Sequence, residues 1–495
     1  MVRISLYYTV NNQCHVKTYK YLGFLIAIIS FASCNKKDAD VTPQLSVSSS
    51  EELFTAAGGA SEVTVSSNTK WTFSNSATWF TATASTTEGN GKISFNVQSN
   101  TGIAERSVVI AVTAGSISKQ IKIRQLGSVN SDSIPADATG MSSNAVQLAA
   151  KIKLGWNIGN TLEAIGGETA WGNPKVTKAL IDLIKANGFN AVRIPCSWDQ
   201  YVTATGSTTL KTDWLSRVKE VVQYCVDNGM YAILNIHWDG GWLENNCTTA
   251  KQDAVNTKQK AFWKQIAITM RDFDEHLLFA SANEPNVEDA TQMGVLLSYH
   301  QTFINTVRST GGHNSYRVLV VQGPSTDIEK TNTLMNTLPT DAVANRMMVE
   351  IHYYTPYQFC LMSTDATWGK MFYYWGAGNH STTDLTRNPT WGEESDVDKY
   401  FGMMKTKFVD KGIPVVMGEY AAMRRTTLTG NDLTLHLASR AYYLKYVTKQ
   451  AKANGILPFY WDEGGLGDKG SGIFNRTNNT VSDQTALDAL VQGAQ

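Results

Sequence analysis

The sequence predicts an α/β protein in which a (β/α)8 barrel, the TIM-barrel fold, is preceded by a small immunoglobulin-like β-sandwich. Three observations predict it. From residue 141 onward, eight apolar strand-like runs alternate with segments of helical period. Residues 44–127 instead carry short stretches of strict apolar/polar alternation, separated by Gly, Ser, Thr and Asn. Between the two, residues 128–140 hold Ser, Asn, Asp, Gly and Pro135, a linker composition. The 495 residues exceed one ordinary domain, so two domains and a leader are expected.

Residues 1–34 read as a lipoprotein signal peptide. Lys17 and Lys20 precede an apolar run from Tyr21 to Phe31 that is too short to span a bilayer comfortably and ends in Phe31-Ala32-Ser33-Cys34. That ending resembles a bacterial lipobox, in which the Cys is lipidated and becomes the first residue. Cys34 is therefore the expected lipid anchor, and residues 35–43 are its solvated tether. The expected location is the bacterial outer membrane, at the cell surface.

The sandwich, residues 44–127, is read from Val63/Val65, Ile93/Phe95/Val97, Val108/Ile110/Val112 and Ile121/Ile123, each pair or triplet pointing to one face. Trp71 and Trp79 are expected as core rings. Trp71-Thr72-Phe73, Arg106-Ser107-Val108 and the closing Ile123-Arg124-Gln125-Leu126-Gly127 resemble the BACON module. The resemblance implies carbohydrate binding. The absence of an aromatic row that demands such binding favours a spacer role instead.

The barrel, residues 141–495, is read from the runs at 153–160, 190–195, 231–237, 277–283, 318–322, 347–354, 414–419 and 456–461. Between the first two, Val176, Leu180, Leu183 and Ile184 form one apolar helical face at i, i+4, i+7 and i+8. Similar helical stretches are expected near 211–228, 257–274, 291–310, 397–411 and 433–454. Buried parallel strands need crossover helices and read as continuous apolar runs, and eight such units fit a closed barrel better than a doubly wound sheet.

Composition excludes some functions. There are 43 basic and 43 acidic residues, so no nucleic acid and no anionic membrane surface is implied as a partner. Cys196, Cys225, Cys247 and Cys360 lack metal-site spacing and are too few for a disulfide framework; a bridge between the loop residues Cys247 and Cys360 is the minor alternative. His237 and His352 have no obvious third ligand. No metal and no cofactor is expected, and the protein is expected to act as a monomer.

The strand ends carry the chemistry. In a barrel of this kind the active site lies at the C-terminal ends of the strands. Here the second run ends in Arg193, the third in His237, the fourth in Asn283-Glu284-Pro285, the sixth in His352 and Tyr354, the seventh in Glu419 and the eighth in Trp461. A core strand gains nothing by ending in Arg, His or Glu, because such groups need partners when buried. Two carboxylates facing each other across one mouth suit glycoside hydrolysis, in which a carboxyl pair flanks the bond to be cut.

Six ordered motifs add a family. Leu154-Gly155-Trp156-Asn157-Ile158-Gly159-Asn160-Thr161, Val192-Arg193-Ile194-Pro195, Asn235-Ile236-His237, Asn283-Glu284-Pro285, His352-Tyr353-Tyr354 and Gly418-Glu419-Tyr420 together resemble glycoside hydrolase family five over residues 141–492. The segments Glu168–Pro174 and Asp239–Glu244 resemble its subfamily four, of endo-β-1,4-glucanases and xyloglucanases. The resemblance implies a retaining hydrolase with Glu284 as general acid/base and Glu419 as nucleophile. It implies sugar-binding or supporting roles for Arg193, His237, Asn283, His352, Tyr354 and Trp461. Three positions depart from the family pattern: Trp238 where a second His is frequent, Ala280 where an acidic residue is common, and Ala421 where Gly is frequent.

The segment 355–395 carries Tyr357, Phe359, Trp368, Phe372, Tyr373, Tyr374, Trp375 and Trp391. A loop of that length is usually functional. Such a ring-rich wall favours a wide, substituted chain, so xyloglucan is the expected polysaccharide substrate. Cellulose or mixed-linkage glucan is the first alternative and β-mannan the next. The reading from another class is a non-catalytic, glycan-binding surface lipoprotein, against which the presence of both glutamates argues.

Overall fold

The computed structural model describes residues 42–100, 105–127 and 133–495. Residues 1–41, which include the expected leader and Cys34, lie outside the described residues.

The first unit is a sandwich of two four-stranded sheets. One has the order Leu45–Val47, Gly59–Ser67, Gly91–Val97, Phe80–Ala84; the other Glu51–Phe54, Ile117–Gln125, Arg106–Ala114, Thr72–Phe73. The alternating residues Val63, Val65, Ile93, Phe95, Ile110, Val112, Ile121 and Ile123 all lie in the layer between them. Trp71 is in that core, with its indole N–H donated to Gly89 O at 2.9 Å. Trp79 is only partly covered, and the Arg106 guanidinium sits 4.7 Å from its ring centre.

The second unit is a closed barrel of eight parallel strands: β1 (Gly155–Ile158), β2 (Ala191–Ile194), β3 (Tyr231–Asn235), β4 (Leu277–Ala280), β5 (Leu319–Gln322), β6 (Met347–Tyr353), β7 (Val415–Tyr420) and β8 (Ile456–Asp462). β8 pairs back onto β1, Gly155 opposite Phe459. Alternate strand residues point inward and outward, so each strand is buried on both faces. Outward residues such as Val192, Leu234 and Phe279 meet the helices, while inward ones such as Ala191, Ile233, Leu278 and Val416 fill the barrel. The helix Ala145–Lys151 closes the bottom, placing Ala145 and Leu148 in the inner cluster.

Four of the helices start at a side-chain cap. Thr177, Asp289, Asp327 and Asp483 each accept a backbone N–H from the first turn of their helices. The helices at Ile328–Leu334 and Gln484–Gly493, and the bottom helix, were not among the expected stretches. The first is a single short turn pair, and a segment of that length gives too little periodicity to read.

The expected linker also needs correction. Its last residues lie against the barrel rather than apart from it. Ile134–Ala136 pairs with Gly311–Gly312, Ile134 N–H donates to Thr310 O at 3.2 Å and Asp137 N–H to Gly312 O at 3.2 Å. Gly311 has a φ of +73°, and a Cβ there would meet Ile134 O at 1.7 Å, so this close pairing requires glycine.

This gives a boundary prediction. A truncated protein beginning at Ser133 should unfold in urea like the intact barrel. One beginning at Gly140 should be destabilised by ~1–3 kcal/mol through its lost backbone bonds, with turnover unchanged. Equal midpoints for the two would mean the 134–136 pairing contributes nothing.

Candidate active site

The mouth of the barrel is organised around one guanidinium. Arg193, near the end of β2, is completely buried. Its Nε lies 2.8 Å from Glu350 Oε1, its Nη1 donates to Glu419 Oε1 at 2.9 Å and to Asn157 Oδ1 at 3.1 Å, and its Nη2 donates to Asn283 Oδ1 at 2.7 Å. Strands β1, β2, β6 and β7 and the segment after β4 thus meet at a single side chain.

Glu419 is placed by a break in pairing. The β6–β7 register runs Ile351 opposite Met417 and then His352 opposite Glu419, so Gly418 is bulged out. Gly418 O accepts from Asn157 Nδ2 at 2.8 Å, and a Cβ at this residue would stand 2.0 Å from Glu350 Oε1. Only glycine lets the Glu350 carboxylate pass. The bulge turns the Glu419 carboxylate inward, where Tyr354 OH donates to its Oε2 at 2.9 Å and His237 Nε2 lies 4.0 Å from its Oε1.

Glu284 enters from the other side. Its backbone N–H donates to Glu244 Oε1 at 2.7 Å, which fixes the chain just after β4. Its carboxylate Oε1 lies 2.7 Å from His352 Nδ1, and the same nitrogen is 3.6 Å from Glu419 Oε2. The two carboxyls differ in access: the Glu284 side chain is 44% exposed, that of Glu419 only 7%. His352 Nε2 lies 3.3 Å from Glu350 Oε1, and Gln322 Nε2 donates to the other Glu350 oxygen at 2.6 Å.

These contacts set the charges. Burial disfavours the His352 cation, but Glu419, Glu284 and Glu350 outweigh it and lift the imidazolium to about 10. Burial lowers His237 well below the usual histidine range, and Arg193 and His352 push the same way, so this ring is neutral. Burial raises Glu419, against the attraction of His352 and Arg193. Burial would raise Glu284 too, but its bond to His352 and the charge on that ring hold it below the usual carboxylate range. Glu284 and His352 therefore share one proton, which rests on the imidazole in the free protein.

Among the described residues, Glu284, His352 and Glu419 bring one ligand atom each to within 4.8 Å of one another, the spacing of a metal site. The donor set does not suit a cation. His352 as an imidazolium has no lone pair to give, and Glu419 already faces Arg193.

Every residue expected at the site from the sequence lies at this mouth. The His237 and Trp461 rings stack, 7° from parallel, with centres separated by 5.8 Å. Sequence reading missed Glu350 and Gln322, and it gave Glu244 and Asn157 no role beyond membership of a motif. The segment 355–395 is also not a continuous wall. Phe359, Phe372, Tyr374 and Trp375 are buried; Trp375 donates to Gly392 O at 2.8 Å and packs edge-on against Tyr443. Tyr357, Trp368 and Trp391 remain exposed, as do Trp171 and Trp238 on other loops. The four cysteines among the described residues are buried and unbridged, so Cys247 and Cys360 form no disulfide. A cavity of about 630 Å³ lies away from this mouth, between sandwich and barrel, where Arg124 is paired with Glu51 and Glu105.

Comparison with known proteins agrees with this geometry. Residues 157–466 match the cellulase family, glycosyl hydrolase family 5, and residues 69–126 match BACON, described as a putative N-terminal binding domain. A xyloglucan-specific endo-β-1,4-glucanase of Bacteroides ovatus is 35% identical over 96% of this chain and 96% of its own. A Bacteroides ovatus family 5 xyloglucanase solved with a XXXG heptasaccharide superposes with a TM-score of 0.68 at 34% identity, covering 91% of this chain and 100% of that one. A xyloglucan-specific β-1,4-glucanase from a ruminal metagenomic library, solved with XXLG, superposes at 0.66 with 39% identity, over 71% of this chain and 96% of that one. The chain belongs to glycoside hydrolase family 5.

Proposed function

We propose that the protein is a retaining endo-β-1,4-glucanase acting on xyloglucan, with Glu419 as nucleophile and Glu284 as general acid/base. The observation that carries this reading is the carboxyl pair held at one mouth, one oxygen of each within 4.8 Å of the other. Retaining glycosidases keep the pair about 5–5.5 Å apart, and inverting ones about 6.5–9.5 Å to admit a water.

The roles follow from the partners. Glu419 accepts from Arg193 and Tyr354, which orient its carboxylate and offset the cost of burying it. It attacks the anomeric carbon, forming a glycosyl ester as the bond to the leaving oxygen breaks. Glu284 is the more open of the two and shares a proton with His352. It gives that proton to the leaving oxygen, then takes one from the water that hydrolyses the ester. Covering Glu284 with substrate removes water from its anion and favours moving the proton onto it from His352. Asn283, fixed by Arg193 on its amide oxygen, is suited to the 2-hydroxyl of the sugar. The partly exposed Trp461 ring near the end of β8 is suited to an apolar sugar face.

The exposed rings Tyr357 and Trp368, with centres 6.1 Å apart, and Trp391 on the loop after β6 support a broad, substituted chain. So does the similarity to the xyloglucan-specific glucanases of Bacteroides ovatus and the ruminal metagenome. We further propose that the enzyme is exported, lipid-anchored through Cys34 to the outer membrane, monomeric and independent of cofactors, with the sandwich as a spacer. The Phe31–Cys34 ending supports the anchor.

Two outcomes are expected. On soluble polysaccharides, reducing ends should appear fastest from xyloglucan, with kcat/KM at least about tenfold, or ~1.4 kcal/mol of transition-state binding, above that for β-glucan, carboxymethylcellulose or mannan. A preference for an unbranched glucan would remove the xyloglucan assignment, and no release from any would return the protein to a binding role. Expressed in a bacterium that lipidates exported proteins, the full chain should sediment with membranes and Cys34→Ala should not. A full-length protein that stays soluble with Cys34 unmodified would remove the anchor.

A further inference from the structure

Glu350 is an unusual residue to find inside a barrel strand. It sits in the middle of β6, wholly buried, with Met348, Val349 and Ile351 as buried neighbours. A carboxylate there carries a large desolvation cost unless its oxygens are met by donors. All of its contacts lead to the active site. Arg193 Nε lies 2.8 Å from Oε1, His352 Nε2 lies 3.3 Å from the same atom, and Gln322 Nε2 donates to Oε2 at 2.6 Å. Gln322 is itself fixed, its amide oxygen accepting Ala282 N–H at 2.8 Å two residues before Glu284. Glycine at 418 is what leaves room for the carboxylate. Two residues on from Glu350, on the same strand, His352 reaches Glu284 with its other ring nitrogen.

We propose that Glu350 is a positioning residue for the reaction, holding His352 Nε2–H so that Nδ1 is always the atom presented to Glu284. This rests on the roles assigned to Glu284 and Glu419. An imidazole has two nitrogens, and which one carries the proton is set by what the other is bonded to. With Glu350 on Nε2, that proton stays in place throughout. The mobile proton then travels one path only, from His352 Nδ1 to Glu284 and on to the leaving oxygen. In the second step water gives a proton to Glu284, and His352 Nδ1 takes it back, so the pair is restored with no net proton gained or lost.

The groups facing the Glu284–His352 pair are Glu350 and Tyr354 from β6 and its end, Glu419 from β7, Arg193 from β2, His237 after β3 and Glu244 behind Glu284. Arg193 also contacts Glu350, so a change at 350 could act through Arg193 on Glu419. The two routes give different signatures. Loss of proton positioning penalises poor leaving groups, which need the acid, while disturbance of the nucleophile penalises all substrates alike.

The test is Glu350→Gln, which keeps the shape and an acceptor oxygen but removes the charge. On xyloglucan oligosaccharides kcat/KM is expected to fall about 100-fold or more, against less than about tenfold for the first step on a dinitrophenyl cello-oligoside. The alkaline limb of the pH profile should move to lower pH, because the shared proton loses one of the carboxylates that retain it. Equal losses on both substrates with an unmoved pH profile would overturn the proposal while leaving the hydrolase reading intact; an inactive wild type would remove the hydrolase reading itself. Should the variant not fold, nitrogen-15 histidine spectra of the wild type decide. His352 is expected to keep the proton on Nε2 through pH 8, and a ring whose protonated nitrogen is Nδ1 alone would overturn it.

Discussion

The mouth of this barrel is built around a guanidinium that has no water. Arg193 is completely buried, and a buried ion costs several kcal/mol unless matched by opposite charge and hydrogen bonds. Glu350 and Glu419 supply the charge, and Asn157 and Asn283 supply the acceptors. Meeting that demand requires β1, β2, β6 and β7 and the segment after β4 to end at one level around one point. A closed parallel barrel does this naturally, because its strands share a direction and their ends form a ring.

The same demand explains details that look unrelated. The bulge at Gly418 turns Glu419 toward Arg193 and leaves space for Glu350. Asn157 ties β1 to the bulge through Gly418 O while accepting from Arg193. Three carboxylates then face two cations, Arg193 and His352. The cluster retains one negative charge in excess, and that excess keeps a proton on His352 beside the open carboxyl of Glu284. Glu419 is closed in and held by two donors, whereas Glu284 is open and held by one proton-bearing ring, so a single electrostatic arrangement separates two chemically identical side chains.

The fold was legible in the sequence because both-face burial leaves a strong mark. Runs such as Tyr231–Asn235 and Leu277–Ala280 are apolar at nearly every position, and each is followed by a helix. The helix Ile328–Leu334 left too few turns to show a face, and Ile134–Ala136 contains Pro135 in a polar stretch, so its pairing depends on a distant Gly311 that local pattern does not reveal. At the site, Arg193, Glu284, His352 and Glu419 stood out because charges at strand ends contradict the apolar run. Glu350 was hidden by the same logic. It lies within the run 347–354, where one acidic residue passes for an outward-facing exception, and its inward direction is fixed only by Arg193 and His352 in space. The rings of 355–395 misled in the opposite sense, since Trp and Tyr serve cores and sugar faces equally well and only burial separates Trp375 from Trp368.

The division of labour between the two glutamates is tested most directly by azide rescue on an activated β-linked cello-oligoside. Glu419→Ala should lose about 10⁴-fold or more in turnover, the order of loss that removing a catalytic nucleophile brings, and azide should enter from the vacated face to give the α-glycosyl azide. Glu284→Ala should still form the glycosyl ester from the activated substrate, and azide should intercept it to give the β-glycosyl azide. Those two products, resolved by proton NMR, are the predicted result. The β-azide from Glu419→Ala together with the α-azide from Glu284→Ala would contradict the account, because the charge arrangement around Arg193 would then favour the wrong carboxylate.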